Sequence, residues 1–229
     1  MPPRAALDHL VFGVSSLDAG ARWLEERLGV ALSAGGEHET MGTHNRLLRL
    51  GERLYLELIA IDPHGKKPDR PRWFALDALQ IGNYLQTPRL LTWVAATSGL
   101  SRPGFCPSYD PGKVHPMSRN GFNWLITIRG DGSLPGHGLL PSLIEWPDDV
   151  HPAAGLPERG TSLKALELRA PDPDRVNPAL ESIGLDTAAC RVSVLCDRTG
   201  PSLRACLDTP RGTVCFDSGG SAGDGIAAA

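Results

Sequence analysis

Short apolar runs bounded by turn residues recur along the chain, and one of them opens each of three similar stretches. The first is Leu7-Asp8-His9-Leu10-Val11-Phe12-Gly13-Val14, closed by Ser15-Ser16, which predicts a strand. Ser16 stands where a helix N-cap belongs and Asp18 falls in the first turn. Leu17, Ala21, Leu24 and Leu28 share one helical face, and Gly29 supplies the stop. A polar stretch runs on to Gly42. Asn45-Arg46-Leu47-Leu48-Arg49-Leu50 and Arg53-Leu54-Tyr55-Leu56-Glu57-Leu58-Ile59 flank a Gly51-Glu52 turn and predict a strand pair. Residues 1–63 therefore read as one βαβββ module.

Residues 64–88 read as a connector with one short amphipathic helical piece around 73–79. The second stretch, 89–152, opens on Leu90-Leu91-Thr92-Trp93-Val94-Ala95-Ala96. Its Gly- and Pro-rich centre leaves little room for a helix, and His115 to Arg119 reads as loop. Two more strand patterns follow, at 123–128 and 139–146. The order repeats that of the first stretch, with Asn45-Arg46-Leu47-Leu48 meeting Asn123-Trp124-Leu125-Ile126 and Tyr55-Leu56-Glu57-Leu58 meeting Leu143-Ile144-Glu145-Trp146. A third, diverged pass spans 160–218, with Ala165 where His9 stands in the first and Phe216 where Glu57 stands. The Gly/Ala/Ser tail, 219–229, reads as disordered. The fold class predicted is α+β, with tandem βαβββ modules and a third, diverged βαβββ-like unit at the C-terminus.

Charge changes the picture by exclusion. Lys and Arg total 23 against 26 Asp and Glu, so no basic face for nucleic acid is expected. No apolar run reaches membrane-spanning length, and the N-terminus lacks a signal-peptide core. The expectation is a cytoplasmic protein that binds a small molecule, with a homodimer allowed. The five cysteines, Cys106, Cys190, Cys196, Cys206 and Cys215, form no C-x-x-C pair and read as reduced and buried.

The runs around His9, around 42–51 and around 55–60, together with Pro116-Met117-Ser118-Arg119 and Leu143-Ile144-Glu145-Trp146, resemble the glyoxalase-like branch of the vicinal oxygen chelate superfamily. The superfamily also includes bleomycin resistance-like proteins and dioxygenases. The resemblance implies paired modules forming a cupped mixed sheet, with metal ligands on the first and last strands of each module. Carried over, it implies His9, Glu57 and Glu145 as ligands to a divalent ion (Zn, Mn, Fe, Co or Ni), with Glu57 or Glu145 doubling as a catalytic base. Thr92 stands where a fourth ligand, a histidine, is expected. His151 would replace it only if its loop folds inward, and is otherwise expected to be exposed. His44, Asn45, Trp93, Arg119 and Asn123 are the candidate substrate-binding residues.

Each candidate has a plainer reading. A histidine inside an apolar strand is often a hydrogen-bonded core residue, and strand alternation could turn either glutamate to the wet face. The function implied is a metal-dependent lyase, isomerase or dioxygenase acting on a small oxygen-rich molecule. The rivals are a metal-free protein that sequesters small molecules and a structural pseudoenzyme.

Overall fold

The first module forms as its periodicities dictate: β1 (Ala6–Gly13), α1 (Leu17–Leu28), β2 (Ser33–His38), β3 (Thr43–Gly51) and β4 (Leu54–Ile61). The Ser16 side chain caps α1 by accepting from Ala19 N, and Gly29 ends it in the left-handed conformation at φ 71°. β2 lies within the stretch that reads as merely polar. Its backbone pairs with β3, and one of its two glycines, Gly35, has a use described below. The computed structural model describes residues 4–100, 104–119, 121–147 and 150–218; the 219–229 tail lies outside them.

The second module supplies β5 (Arg89–Ala96), β6 (Lys113–Arg119), β7 (Phe122–Ile128) and β8 (Ser142–Glu145). Residues 113–119, expected as loop, form an edge strand. Its Pro116 is tolerated because an edge strand need not donate on its outer side. Leu139 and Leu140, expected within the last strand, belong to the turn before it.

The two modules share one eight-stranded sheet in the order β2-β3-β4-β1-β5-β8-β7-β6. Within each, the first strand runs parallel to the last, β1 with β4 and β5 with β8. β1 and β5 join the modules antiparallel. The modules that pair are thus the first and second, in repeat order. The sheet curls until the edge strands β2 and β6 approach each other, and Thr40 Oγ1 reaches Met117 Sδ at 3.8 Å. The concave face is a cup.

The third stretch folds as β9 (Ser162–Ala170), α3 (Pro173–Ser182), β10 (Val192–Cys196), β11 (Ser202–Thr209) and β12 (Gly212–Asp217). It keeps the chain order of the first module but not its pairing. Its sheet runs β10-β9-β11-β12, with β9 parallel to the strand directly after the helix. Leu203, Ala205, Leu207 and Phe216 pack in one core with Leu10, Phe12, Leu90, Trp93 and Ala95 on the convex face. Phe216 meets Phe12 edge-on at 5.2 Å. The second module has no helix between β5 and β6 among the described residues, and this sheet covers the convex face there.

The cysteines depart from the reduced, buried expectation. Cys206 and Cys215 sit directly opposite each other on β11 and β12 and form a disulfide. Cys106 and Cys196 are exposed thiols and Cys190 is half-buried. The residue types gave no hint of this, because the hairpin register alone makes the two cysteines neighbours.

The connector carries a single 3-10 turn, Trp73–Ala75, and then α2 (Leu76–Ile81). Phe74 and Ala75 both adopt left-handed backbone, at φ 56° and 55°. This kink lays Trp73 and Phe74, both buried, over the cup with Leu76, Ile59 and Ile126.

Candidate active site

A regular strand sends neighbouring side chains to opposite faces. Between Leu7 and His9 the β1–β5 register slips by one, a bulge that leaves Asp8 as the extra residue. Asp8 and His9 consequently lie together. His9 Nδ1 is 2.5 Å from Asp8 Oδ1. The other Asp8 oxygen receives Trp146 Nε1 at 2.9 Å and His151 Nε2 at 3.0 Å. Asp8 is 1% exposed. Burial by itself raises its pKa, but the hydrogen bonds from His151 and His9 outweigh that and hold it at about 2. Tyr55 stacks on His9 with ring centroids 4.6 Å apart. Burial, then the charges of Asp8 and Glu57, push the Tyr55 hydroxyl well above its ordinary pKa.

Across the cup, Glu57 Oε2 faces His9 Nε2 at 3.8 Å. Glu57 Oε1 accepts from Asn45 Nδ2 at 2.5 Å. The Asn45 oxygen in turn accepts from Arg119 Nη1 at 2.6 Å and from Gly36 N at 3.0 Å. A Cβ on Gly35 would clash with Asn45 Oδ1, so a glycine at this position of β2 lets the amide in. His38 Nε2 is 4.0 Å from Glu57 Oε1. Burial first, and then the Arg119 charge, hold His38 well below the usual histidine pKa, so it stays neutral. A cavity of about 20 Å³ separates these groups, room for about one water. Trp73, Phe74, Trp124 and Trp146 form its aromatic wall.

The structure therefore brings together His9, Glu57, Asn45 and Arg119, the last on β6 rather than on a loop. It does not bring in the other four candidates. On β8, Ile144 lies on the cup side and Leu143 in the convex core. Glu145 lies with Leu143, and its two oxygens accept from Gly99 N at 2.7 Å and Leu100 N at 2.8 Å. It anchors a loop and is neither a metal ligand nor a base of the cup. The sequence alignment of Glu145 with Glu57 is one residue out, and one residue flips every side chain on a strand. Trp93 is buried on the convex side, its Nε1 bonded to Leu139 O at 3.0 Å. His44 shares the convex face of β3 with Arg46, which pairs with Asp18 of α1 at 2.8 Å. Asn123 is exposed. Thr92 gives its hydroxyl to Gly138 O at 3.2 Å.

His151 reverses its expectation of exposure. It is 3% exposed, and its side chain is turned inward and bonded to the Asp8 carboxylate. Sequence reasoning missed Asp8, His38, Tyr55 and the hydrogen bond from Trp146 to Asp8. Asp8 carried a usable signal, because an aspartate inside an apolar strand must be paired if buried.

Comparison with known proteins bears on this geometry. A family model described as Glyoxalase-like domain matches residues 7–184, most of the chain. The chain belongs to the glyoxalase-like domain family. Within the vicinal oxygen chelate superfamily, this glyoxalase-like chain has the expected cupped α+β fold. Among solved structures it resembles a hypothetical protein from Staphylococcus aureus, with TM-score 0.57 and 15% identity over 93% of this chain and 85% of that one. A methylmalonyl-CoA epimerase from Mycobacterium tuberculosis matches 62% of this chain and 88% of its own, at TM-score 0.41 and 18% identity. No curated protein sequence matches.

The metal set that the resemblance implies does not fit this glyoxalase-like domain. His9 and Glu57 face each other, but Glu145 is turned away and the second module presents Val94 and Ile144 to the cup. Among the described residues, no three His, Cys, Asp or Glu side chains are arranged to hold an ion. No helix among them is long and apolar enough to cross a membrane.

Proposed function

We propose that this chain is a small-molecule enzyme of the vicinal oxygen chelate type, in which His9 and Glu57 move a proton on a compact, oxygen-rich substrate. The observation that carries this reading is the approach of His9 Nε2 to Glu57 Oε2, 3.8 Å apart at a water-sized cavity. Each group is held by a buried neighbour at its other heteroatom. Asp8 is ionised at neutral pH, so it accepts from His9 Nδ1–H and turns Nε2 toward Glu57 and the cavity. Asn45 occupies Glu57 Oε1 and leaves Oε2 for the substrate. One of the two groups removes a proton from a carbon beside a carbonyl and, now protonated, delivers that proton to a neighbouring carbon or oxygen of the same substrate. The net reaction is an isomerisation, or an elimination where a leaving group sits on the next carbon. Acid–base groups placed in this way contribute about 10²–10⁴-fold, and the aromatic wall keeps bulk water out.

A metal-dependent lyase, isomerase or dioxygenase is the form that family resemblance suggests, with His9 and Glu57 as the ligands available. Because the donor set lacks its third member, no step here is routed through an ion. The sequestering alternative needs no proton transfer at all.

The test is exchange of carbon-bound hydrogen in deuterated buffer, followed by NMR over a panel of small 2-oxo and 2-hydroxy acids, aldehydes and esters. At least one compound should exchange, and His9→Gln and Glu57→Gln should each slow it by about 10²-fold or more. Exchange unchanged in both variants sinks the reading. One equivalent of metal, bound by the wild type and lost in His9→Gln, would replace it with the metal-dependent form. Saturable ligand binding without exchange would replace it with sequestration.

A further inference from the structure

Among the described residues, Arg119 touches no carboxylate directly: Glu57, in the same cavity, reaches it only through the Asn45 amide. Arg119 is 9% exposed, and Nη1 is spent on the neutral Asn45 amide. The Nε–H is buried with no hydrogen-bond partner. No carboxylate among the described residues forms an ion pair with it, whereas Arg72, buried to a similar degree, is paired to Asp77 at 2.7 Å. Removing a guanidinium from water without a partner costs several kcal/mol, and native proteins rarely leave such a group unmatched. Arg119 also lines the cavity that holds His9 and Glu57. A guanidinium with an unspent N–H is suited to a carboxylate, which takes charge-assisted hydrogen bonds from it.

We propose that Arg119 is the receptor for an anionic group of the substrate, and that the substrate is a compact monocarboxylate. This names the substrate class for the His9–Glu57 site and so rests on that reading. Charge selects a monocarboxylate over a phosphate: one guanidinium offers one positive charge, and Glu57 in the same cavity repels each further negative charge. Asn45 then has a positioning role: it ties the anion receptor to Glu57, so a bound carboxylate and the base share one fixed frame.

The experiment is thermal-shift and calorimetric titration of the wild type with acetate, lactate and glyoxylate. Acetamide and lactamide serve as neutral isosteres and inorganic phosphate as the competing anion, all at constant ionic strength. The carboxylates should bind saturably, the amides should not, and phosphate should bind more weakly. Arg119→Gln should weaken carboxylate binding at least about tenfold, and Arg119→Lys should keep the preference for carboxylate over amide at reduced affinity. His9→Gln should lose hydrogen exchange yet keep carboxylate binding, which separates failure of the proton-transfer reading from failure of this one. Carboxylate and amide binding alike, no carboxylate binding in the wild type, phosphate binding more tightly than any carboxylate, or undiminished binding in a folded Arg119→Gln variant would each overturn the assignment.

Discussion

His9 and Asp8 are adjacent in sequence, yet their side chains meet on one face of a strand, with Nδ1 and Oδ1 2.5 Å apart. The bulge in β1 makes this contact, and the contact decides which nitrogen of His9 faces the cavity. Asp8→Asn should therefore do more than remove a charge. An amide cannot accept from His9, His151 and Trp146 as a carboxylate does, and it can present an N–H to the ring and reverse its tautomer. Hydrogen exchange by the enzyme should fall by about 10²-fold or more. Urea denaturation should show a loss of roughly 1–3 kcal/mol.

Stability should fall with acid in two stages. His38 has a folded-state pKa well below 6.5, so as pH drops beneath 6.5 the unfolded chain takes up a proton that the folded protein refuses. Each step downward then favours unfolding. Asp8 acts lower: its contribution is complete above 3.8 and disappears as pH falls toward about 2. Denaturant titrations between pH 7.5 and 5 should show the first decline in the wild type, and His38→Gln should flatten it. A profile equally steep in His38→Gln would remove His38 as the cause.

Gly35→Ala tests the Asn45 bridge without touching a polar group. Its Cβ would clash with Asn45 Oδ1 and with the Asn45 carbonyl oxygen, and backbone cannot yield cheaply. We expect a destabilisation of roughly 1–3 kcal/mol with weakened carboxylate binding. Gly155→Ala, where a Cβ meets nothing within 4 Å, should change neither. Thermal unfolding and the acetate titration read both outcomes.

The Cys206–Cys215 disulfide closes a short loop, with a sequence separation of 9. Loop-closure entropy puts its stabilisation at about 2–3 kcal/mol. Dithiothreitol should lower the unfolding midpoint accordingly, and a Cys206→Ala/Cys215→Ala variant should match the reduced wild type and ignore the reductant. Hydrogen exchange on substrate should be unaffected, because β11 and β12 lie on the convex side away from the cup.

Local pattern was enough for most elements here. Alternation and helical spacing delimited β1, α1, β3, β4, β5, β7 and the third unit, since each period is written in neighbouring residues. The family resemblance also implied a shared cup, and His9, Glu57, Asn45 and Arg119 meet in it. What failed had a physical cause in each case. β2 and β6 lacked apolar alternation because they are sheet edges, and β2 needs a glycine to admit Asn45. The bulge at Asp8 and the face of Glu145 depend on pairing register, which a single strand does not encode: a shift of one residue exchanges cup for convex core. His151 and Asp8 become partners across 143 residues of chain, and the two disulfide cysteines only through the register of their hairpin. Sequence alone thus determined the elements and the identity of the cup. Tertiary structure decided which side chains face it, because facing is set by contacts between strands and not within them.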